Sequence, residues 1–452
     1  MMQIEVLVAE IGSTTTVVNA FTGLMGEKPS FLGQGQAPTS VALGDVTIGL
    51  RQAFQDLEAK LGDSISWETM LATSSAAGGL RMSVHGLVYD MTARAAREAA
   101  LGAGAVLGLI TAGELGEQDL AALKQQNPNI ILLAGGVDYG ESATVLANAH
   151  HLARLKLTAP IIYAGNIAVQ NEFAAIMNAA GLPYYTVANV YPAIDELNVE
   201  PTRQVIQQVF EEHIVHAAGM EKIRQMVTGQ ILPTPGAVLV AAKLLQEAIG
   251  DLLVIDVGGA TTDVHSVTPG SEEINRLLLH PEPLAKRTVE GDLGVYLNAP
   301  HVAERIGKEV LAARIGHDAN SLLANWPPIP KADSQLRLLE AFTSEAARTA
   351  LERHAGRLKQ LYGPQGRSTI AMGKDLSNVR YVIGTGGPLT QLANAKKLLA
   401  DMLAKPAGQA LVPKASAEIL IDQHYNLAAL GVLANRYPQA ALCLMRESLG
   451  MC

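Results

Sequence analysis

Short runs of aliphatic and β-branched residues alternate along the chain with longer stretches of helical periodicity, the pattern of an α/β protein. Residues 4–9, 130–133, 161–163, 252–257 and 380–383 read as buried strands, most of them running straight into glycine or a polar turn. Helical spacing covers residues 46–61, 92–102, 202–218, 236–248, 334–361 and 426–434. Residues 318–330, with Trp326-Pro-Pro-Ile-Pro, read as an exposed connector of extended backbone.

Two segments recur. LVAEIGSTTT begins at Leu7 and LVIDVGGATT at Leu253, an offset of 246. In that register Glu10 matches Asp256, Gly12 matches Gly258, and Thr15 and Thr16 match Thr261 and Thr262. ILLAGG, ending at Gly136, and VIGTGG, ending at Gly387, form a second pair at an offset of 251. Two pairs in the same order predict a duplicated fold, each half opening with a strand, a glycine turn and a second strand. The expected lobes are residues 1–235 and 236–452.

Composition narrows the class. The 452 residues leave room for two or three domains. Hydrophobic residues at 48%, charged residues at 17% and a mean hydropathy of +0.18 give a large core and exclude a disordered chain. A net charge of −9 argues against nucleic acid or anionic lipid as a partner. No apolar run approaches the roughly 20 residues a bilayer requires. The opening MMQIEVLVAE has no basic stretch before its apolar run, and the two cysteines, Cys443 and Cys452, suit a reducing compartment. A cytoplasmic location is expected.

The strongest chemical signal is VIDVGGATTDV at residues 254–264. Glycines at a tight turn let backbone amides face an anion without Cβ interference. Thr261 and Thr262 add hydroxyls, and Asp256 and Asp263 suit Mg²⁺ held through its waters. The plainer alternative is a β-hairpin whose Asp serves the turn. VAEIGSTTTVV at residues 8–18 repeats the design, with Gly12, Ser13, Thr14 and Thr15 placed to wrap a phosphate and Glu10 on the metal side; an ordinary first hairpin is its alternative. YVIGTGGPLT at residues 381–390 brings Gly384, Thr385, Gly386 and Gly387 to a strand end, where a flat base and ribose can approach closely, and Pro388 then starts a helix.

In this order the three segments resemble the first phosphate loop, the second phosphate loop and the adenosine loop of the actin, sugar-kinase and heat-shock ATPase superfamily. LPTPGAVLVAAKLL from Leu232 and NLAALGVLA from Asn426 resemble its two connecting helices, and TVEGDLGVY from Thr288 its acidic glycine loop. The resemblance implies an actin-like ATPase fold, two ribonuclease H-like lobes with a nucleotide cleft between them, and ATP and Mg²⁺ as cofactors. It places Asp256 and Asp263 at the reacting phosphate, Glu10 and Asp256 toward the metal, and the glycines and hydroxyls named above on the nucleotide, with Gly258 and Gly259 at the second turn. Two departures point to slow turnover: Glu10 stands where Asp is usual, and Leu232 where heat-shock ATPases carry Glu before the proline.

LATSSAAGGLRMSVHGLV at residues 71–88, with EIGSTTT, LLAGGVDYG and EGDLG, resembles one family more closely. This is the MutL or GlmL family, the accessory protein encoded beside adenosylcobalamin-dependent glutamate mutase and related aminomutases. The likeness runs from the N-terminus to about residue 434. It implies an ATP-dependent reactivating factor with an adenosylcobalamin-dependent mutase as partner and ATP/ADP as ligands; a homo-oligomer is compatible with it. Two other classes share the fold: a small-molecule kinase, for which Asp292 could serve as base, and a nucleotide-gated scaffold without turnover.

Other features are weaker. Ser74 to Arg81 either meets an anion or a partner through its hydroxyls and Arg81, or is a small-residue turn. Residues 134–140, AGGVDYG, are taken as the first-half counterpart of the adenosine loop, more a turn left by duplication than a binding element. His213 and His216 in EEHIVH read as a solvated helix face rather than a metal site. Asp263-Val264-His265 and Asp422-Gln423-His424 begin like a cobalamin-binding Asp-x-His-x-x-Gly signature but lack its glycine, so no cobalamin is expected on the chain itself.

Overall fold

The computed structural model describes residues 1–40, 45–75, 80–214, 220–229, 231–315, 319–363, 366–404 and 409–451. Strands β1 (Met2–Ile11), β2 (Thr15–Thr22) and β3 (Ser30–Pro38) form an antiparallel meander, and β4 (Ile65–Ser74) runs parallel to β1. The chain then builds a separate, wholly parallel sheet from β5 (Leu80–Gly86), β6 (Ala105–Ala112), β7 (Ile130–Leu133), β8 (Ile161–Tyr163) and β9 (Tyr184–Thr186). It returns as β10 (Ile231–Pro233) beside β4, so the first sheet has the order β10-β4-β1-β2-β3.

The second half repeats that plan. Strands β11 (Leu252–Val257), β12 (Thr262–Val267) and β13 (Ala285–Glu290) form the meander. A hairpin of β14 (Arg357–Gly363) and β15 (Gly366–Met372) interrupts, and β16 (Tyr381–Thr385) and β17 (Glu418–Ile421) complete the order β13-β12-β11-β16-β17. Each sheet thus runs third, second, first, fourth, fifth, with the first three strands antiparallel and the last two parallel to the first. Two ribonuclease H-like lobes repeated in one chain are the actin-like ATPase fold.

The helices Thr234–Ile249 and Leu427–Ala434 follow the fifth strand of each lobe and cross each other between the sheets. A side chain at Gly431 would strike the backbone of Ala237, so glycine sets how closely they approach. Their apolar residues share one core with Val6, Val8 and Leu71 of the first sheet and Leu252, Val254 and Ile383 of the second. The lobes are therefore joined by a common hydrophobic layer. Leu232 lies buried in that layer, packed rather than reactive.

Three expectations change. The pairing of ILLAGG with VIGTGG is not a structural repeat: Ile131 lies on β7 of the inserted sheet, whereas the counterpart of β16 is β4. The counterpart of the adenosine loop is therefore the segment after Ser74, where residues 76–79 lie outside the described residues, and not residues 134–140. The helix expected over residues 334–361 spans Asp333–His354; Ala355 turns extended and feeds β14, whose partner β15 decides its conformation. Trp326 is not in an open connector, since its indole N–H donates to the Val295 carbonyl at 2.9 Å. The side chain of His213, and all of His216, lie outside the described residues.

Candidate functional site

The two glycine turns are built alike. The Gly12 amide donates to the Thr15 carbonyl at 3.0 Å, and the Gly258 amide to the Thr261 carbonyl at 2.9 Å. The turns meet across the lobes, because a Cβ on Gly259 would stand 3.0 Å from Thr14 Oγ1. Carbonyls of the second turn are taken by the segment after β13: Val295 N–H bonds Gly258, and those of Tyr296 and Leu297 both bond Gly259. Asn298 Nδ2 donates to the Ala260 carbonyl at 3.0 Å. With the carbonyls held outward, the amides of Ser13, Thr14, Gly259 and Ala260 have no acceptor among the described residues. Such paired turns form an anion-binding concavity.

Four carboxylates gather at the strand ends beneath the turns. Glu10 lies buried one residue before the end of β1, and its pKa is pushed up to about 8 by burial, then by Asp256 and Asp422. Asp256, its counterpart on β11, rises to about 7 through withdrawal from water and repulsion by Asp263 and Asp422, with Arg287 pulling the other way. Asp422 is occupied structurally: it accepts from Thr385 Oγ1 at 2.8 Å, Ser448 Oγ at 2.6 Å and the Leu427 amide at 3.0 Å, capping the second crossing helix. Asp263 is also committed. Arg287 donates to its Oδ1 through Nε at 2.8 Å, and Thr261 Oγ1 donates to its Oδ2 at 2.9 Å. Arg287 Nη1 continues to the carbonyls of Leu101 and Ala105, next to the inserted sheet.

A cavity of about 380 Å³ opens above the turns, lined by Thr14, Thr15, Gly258, Gly259 and Gly387, and walled by Tyr296, Trp326 and Pro388. Gly386, at φ +89°, passes so close to Asp256 that a Cβ would stand 2.6 Å from Oδ1. The lobes are tied at the back of the cavity by Gln34 of β3, which donates to the carbonyls of His424 and Tyr425 at 3.1 and 3.0 Å.

Of the residues singled out in the sequence, Thr14, Thr15, Gly258, Gly259 and Gly387 face this cavity. Gly384 is packed beneath it against Ile421 and Leu399, and Thr385 is bound to Asp422. Thr262 is buried with its hydroxyl on the Leu293 carbonyl, and Ser13 Oγ donates to the Ser75 carbonyl. Sequence reasoning missed Asp422, Arg287, Gln34 and Trp326. Only Asp422 left a signal, an acid four residues ahead of Asn426 at a helix start. No group of three or more His, Cys, Asp or Glu is arranged to hold a metal directly among the described residues. Glu10 and Asp256 instead suit Mg²⁺, which keeps most of its waters and takes one or two carboxylates plus phosphate oxygens.

Among solved structures, nucleotide-free acetone carboxylase shares 14% identity at a TM-score of 0.42, over 95% of this chain and 70% of that one. Diol dehydratase-reactivating factor in its nucleotide-free form shares 12% at 0.38, over 97% and 100%. The strand order above, not these distant superpositions, identifies the fold. Sequence comparison is more specific. The Protein MutL of Clostridium tetanomorphum is 37% identical over 459 residues, spanning 98% of each chain. A family model described as MutL protein matches residues 6–449. With that match reaching from β1 to the last helix, the chain belongs to the MutL protein family.

Proposed function

We propose that this protein binds Mg²⁺ and ATP between its lobes, hydrolyses the nucleotide slowly, and uses the resulting change to free inactivated cofactor from an adenosylcobalamin-dependent mutase of the glutamate mutase or aminomutase type. One observation carries the nucleotide reading: two glycine turns with the same backbone hydrogen bond, from opposite lobes, meet over a buried acidic cluster. The mutase rests on the family likeness.

Bound magnesium would supply charge neutralisation and an ordered water shell at the phosphate oxygens. Ser13, Thr14, Gly259 and Ala260 offer amides to the phosphates, and Thr14 and Thr15 add hydroxyls. Glu10 and Asp256 hold the metal's waters, and Asp256, beside the passing adenosine loop, orients the attacking water. Asp263 keeps the second turn rigid through Thr261 and Arg287. Positioning and electrostatics of this kind account for most of phosphoryl-transfer catalysis. Loss of the terminal phosphate removes the group both turns grip, so the two nucleotide states favour different lobe separations.

The kinase alternative needs a free base in the cleft. Asp292 is unsuited, because Arg353 binds it twice, at 2.7 and 3.0 Å, and holds its carboxyl below the usual range.

The test is ATP hydrolysis with Mg²⁺, with and without a mutase loaded with inactivated cobalamin, scoring phosphate and released cobalamin together. We expect the two to be coupled. Asp256→Ala should lower both by about 10²–10³-fold, the scale of losing one preorganised electrostatic group. ATP bound without phosphate release would favour the scaffold reading, and phosphate appearing on an added acceptor the kinase.

A further inference from the structure

A second cavity, of about 190 Å³, lies where the inserted sheet meets the second lobe. Arg94 and Arg97 line it from the helix Arg94–Gly102, Lys286 from the start of β13 and Glu282 from the segment before it, and Tyr89 and Leu279, each about half exposed, line it as well. Comparable cavities, of about 150 Å³, accept a ligand the size of benzene.

Its charges do not balance. Glu282 accepts from both Arg94 and, at 2.8 Å, Lys286. Arg97 Nη2 donates to Glu98 Oε1 at 2.9 Å. Asp90, exposed, also lines the cavity, so three carboxylates face these three cations. Lys374, just behind, adds a fourth cation whose ammonium meets only carbonyls, those of Thr268, Pro283 and Leu284. The other buried arginines nearby are already matched, Arg287 by Asp263 and Arg203 by Glu200. Side-chain exposure is 1% for Glu98, 4% for Glu282 and 7% for Lys286, rising to 16% for Arg94 and 32% for Arg97. Donors are left over as well. Arg97 Nε is buried without an acceptor, and Lys286 uses one of its three N–H groups among the described residues. Uncompensated buried charge costs several kcal/mol, so the place calls for an anion. The unpartnered Oε2 of Glu98 calls for a donor, which a ligand hydroxyl or an accompanying water provides.

We propose that this cavity binds a small oxyanion, a carboxylate or phosphate group on a compact and partly apolar body. Arg97 and Lys286 grip the oxygens, and Tyr89 and Leu279 cover the body. The ligand would join the helix Arg94–Gly102 to β13 one residue before Arg287, which in turn holds Asp263 of the second glycine turn.

Equilibrium dialysis of inorganic phosphate and, separately, acetate against the full chain tests this, with a non-hydrolysable ATP analogue present to keep phosphate out of the interlobe cleft. We expect saturable binding of at least one of them below roughly 10 mM. Arg97→Gln and Lys286→Met should each weaken it roughly tenfold or more. Phosphate binding alone would point to phosphorylated ligands, and acetate binding alone to carboxylates; either supports the site. Selenate soaked into crystals of the unmodified protein locates the ion without relying on variants that fail to fold. An anomalous peak between Arg97 and Lys286 is expected. No saturable binding, binding unchanged in both variants, or selenate found only elsewhere overturns the proposal.

Discussion

The two glycine turns share a backbone and differ in what stands behind them. Gly12 and Gly258 close the same four-residue turn, and both turns hold their amides toward one cavity. Behind the second, Asp263, Arg287 and the 295–298 segment form a continuous bonded brace that reaches the inserted sheet. Behind the first, the described residues offer less: Ser13 reaches the Ser75 carbonyl, and Thr39 N–H reaches the Thr14 carbonyl at 2.9 Å. The acids differ to match. Asp256 has Arg287 to temper it, while no cation lowers Glu10. Among the described residues only the second turn carries such a brace. On the proposed nucleotide reading, the braced turn sets the position of the nucleotide and the other yields with it.

Removing the brace should break the asymmetry most strongly. Arg287→Met leaves Asp263 buried without its cation and strips Leu101 and Ala105 of a donor. The expected loss is about 3–5 kcal/mol of stability, typical of an unpaired buried charge, read by denaturant unfolding. Ser13→Ala, its nearest equivalent in the first turn, should cost no more than about 1 kcal/mol. Equal losses would mean that the second turn is not the anchored one.

Titration sharpens the same contrast. Glu10 and Asp256 hold protons in the folded chain that they release in the unfolded one, so their stabilising effect is complete below pH 4 and is lost as pH rises through about 7 and 8. Buried His85, whose pKa falls to about 4, acts oppositely below pH 6.5, and Lys374, lowered to about 8, acts oppositely above pH 8. Between pH 6.5 and 8 the acids dominate. The melting temperature of the metal-free protein should fall by a few degrees across that window. Glu10→Gln should flatten the slope more than Asp256→Asn, and Mg²⁺ with ATP should reverse it. A slope untouched by Glu10→Gln would remove the uncompensated first-turn acid from the comparison.

Both turns were legible in the sequence because their chemistry is local: a strand, a glycine and hydroxyls within eleven residues. The duplication was legible for the same reason at residues 8–18 and 254–264. It misled at ILLAGG, where an apolar strand ending in glycines is as much at home in a parallel inserted sheet as in the lobe. The inserted sheet itself went unseen. Strand β9 has three residues and β6 is largely half-exposed, so neither carries the buried run that marked β7 and β8. Arg287 and Asp263 are 24 residues apart and meet on neighbouring strands of the second sheet. Asp422 and Thr385 come together only when β16 and β17 pair. Such partners are products of topology, and no spacing rule announces them.

The smallest effect tests the turns themselves. A methyl group at Gly12 would stand 2.5 Å from the Thr15 carbonyl oxygen, closer than real Cβ contacts allow, so the first turn must open to admit it. At Gly258 the same methyl meets the Thr261 oxygen at 3.0 Å, which a small adjustment relieves. Gly12→Ala should therefore cost about 1–3 kcal/mol as overpacking does, and Gly258→Ala under about 1 kcal/mol. Opening the first turn also displaces the amides of Ser13 and Thr14, so Gly12→Ala should weaken ATP binding beyond its effect on folding. Calorimetric titration of ATP into both variants measures this directly. If Gly258→Ala proves the more damaging to binding, the rigidity of the second turn matters more to the nucleotide than the room inside the first.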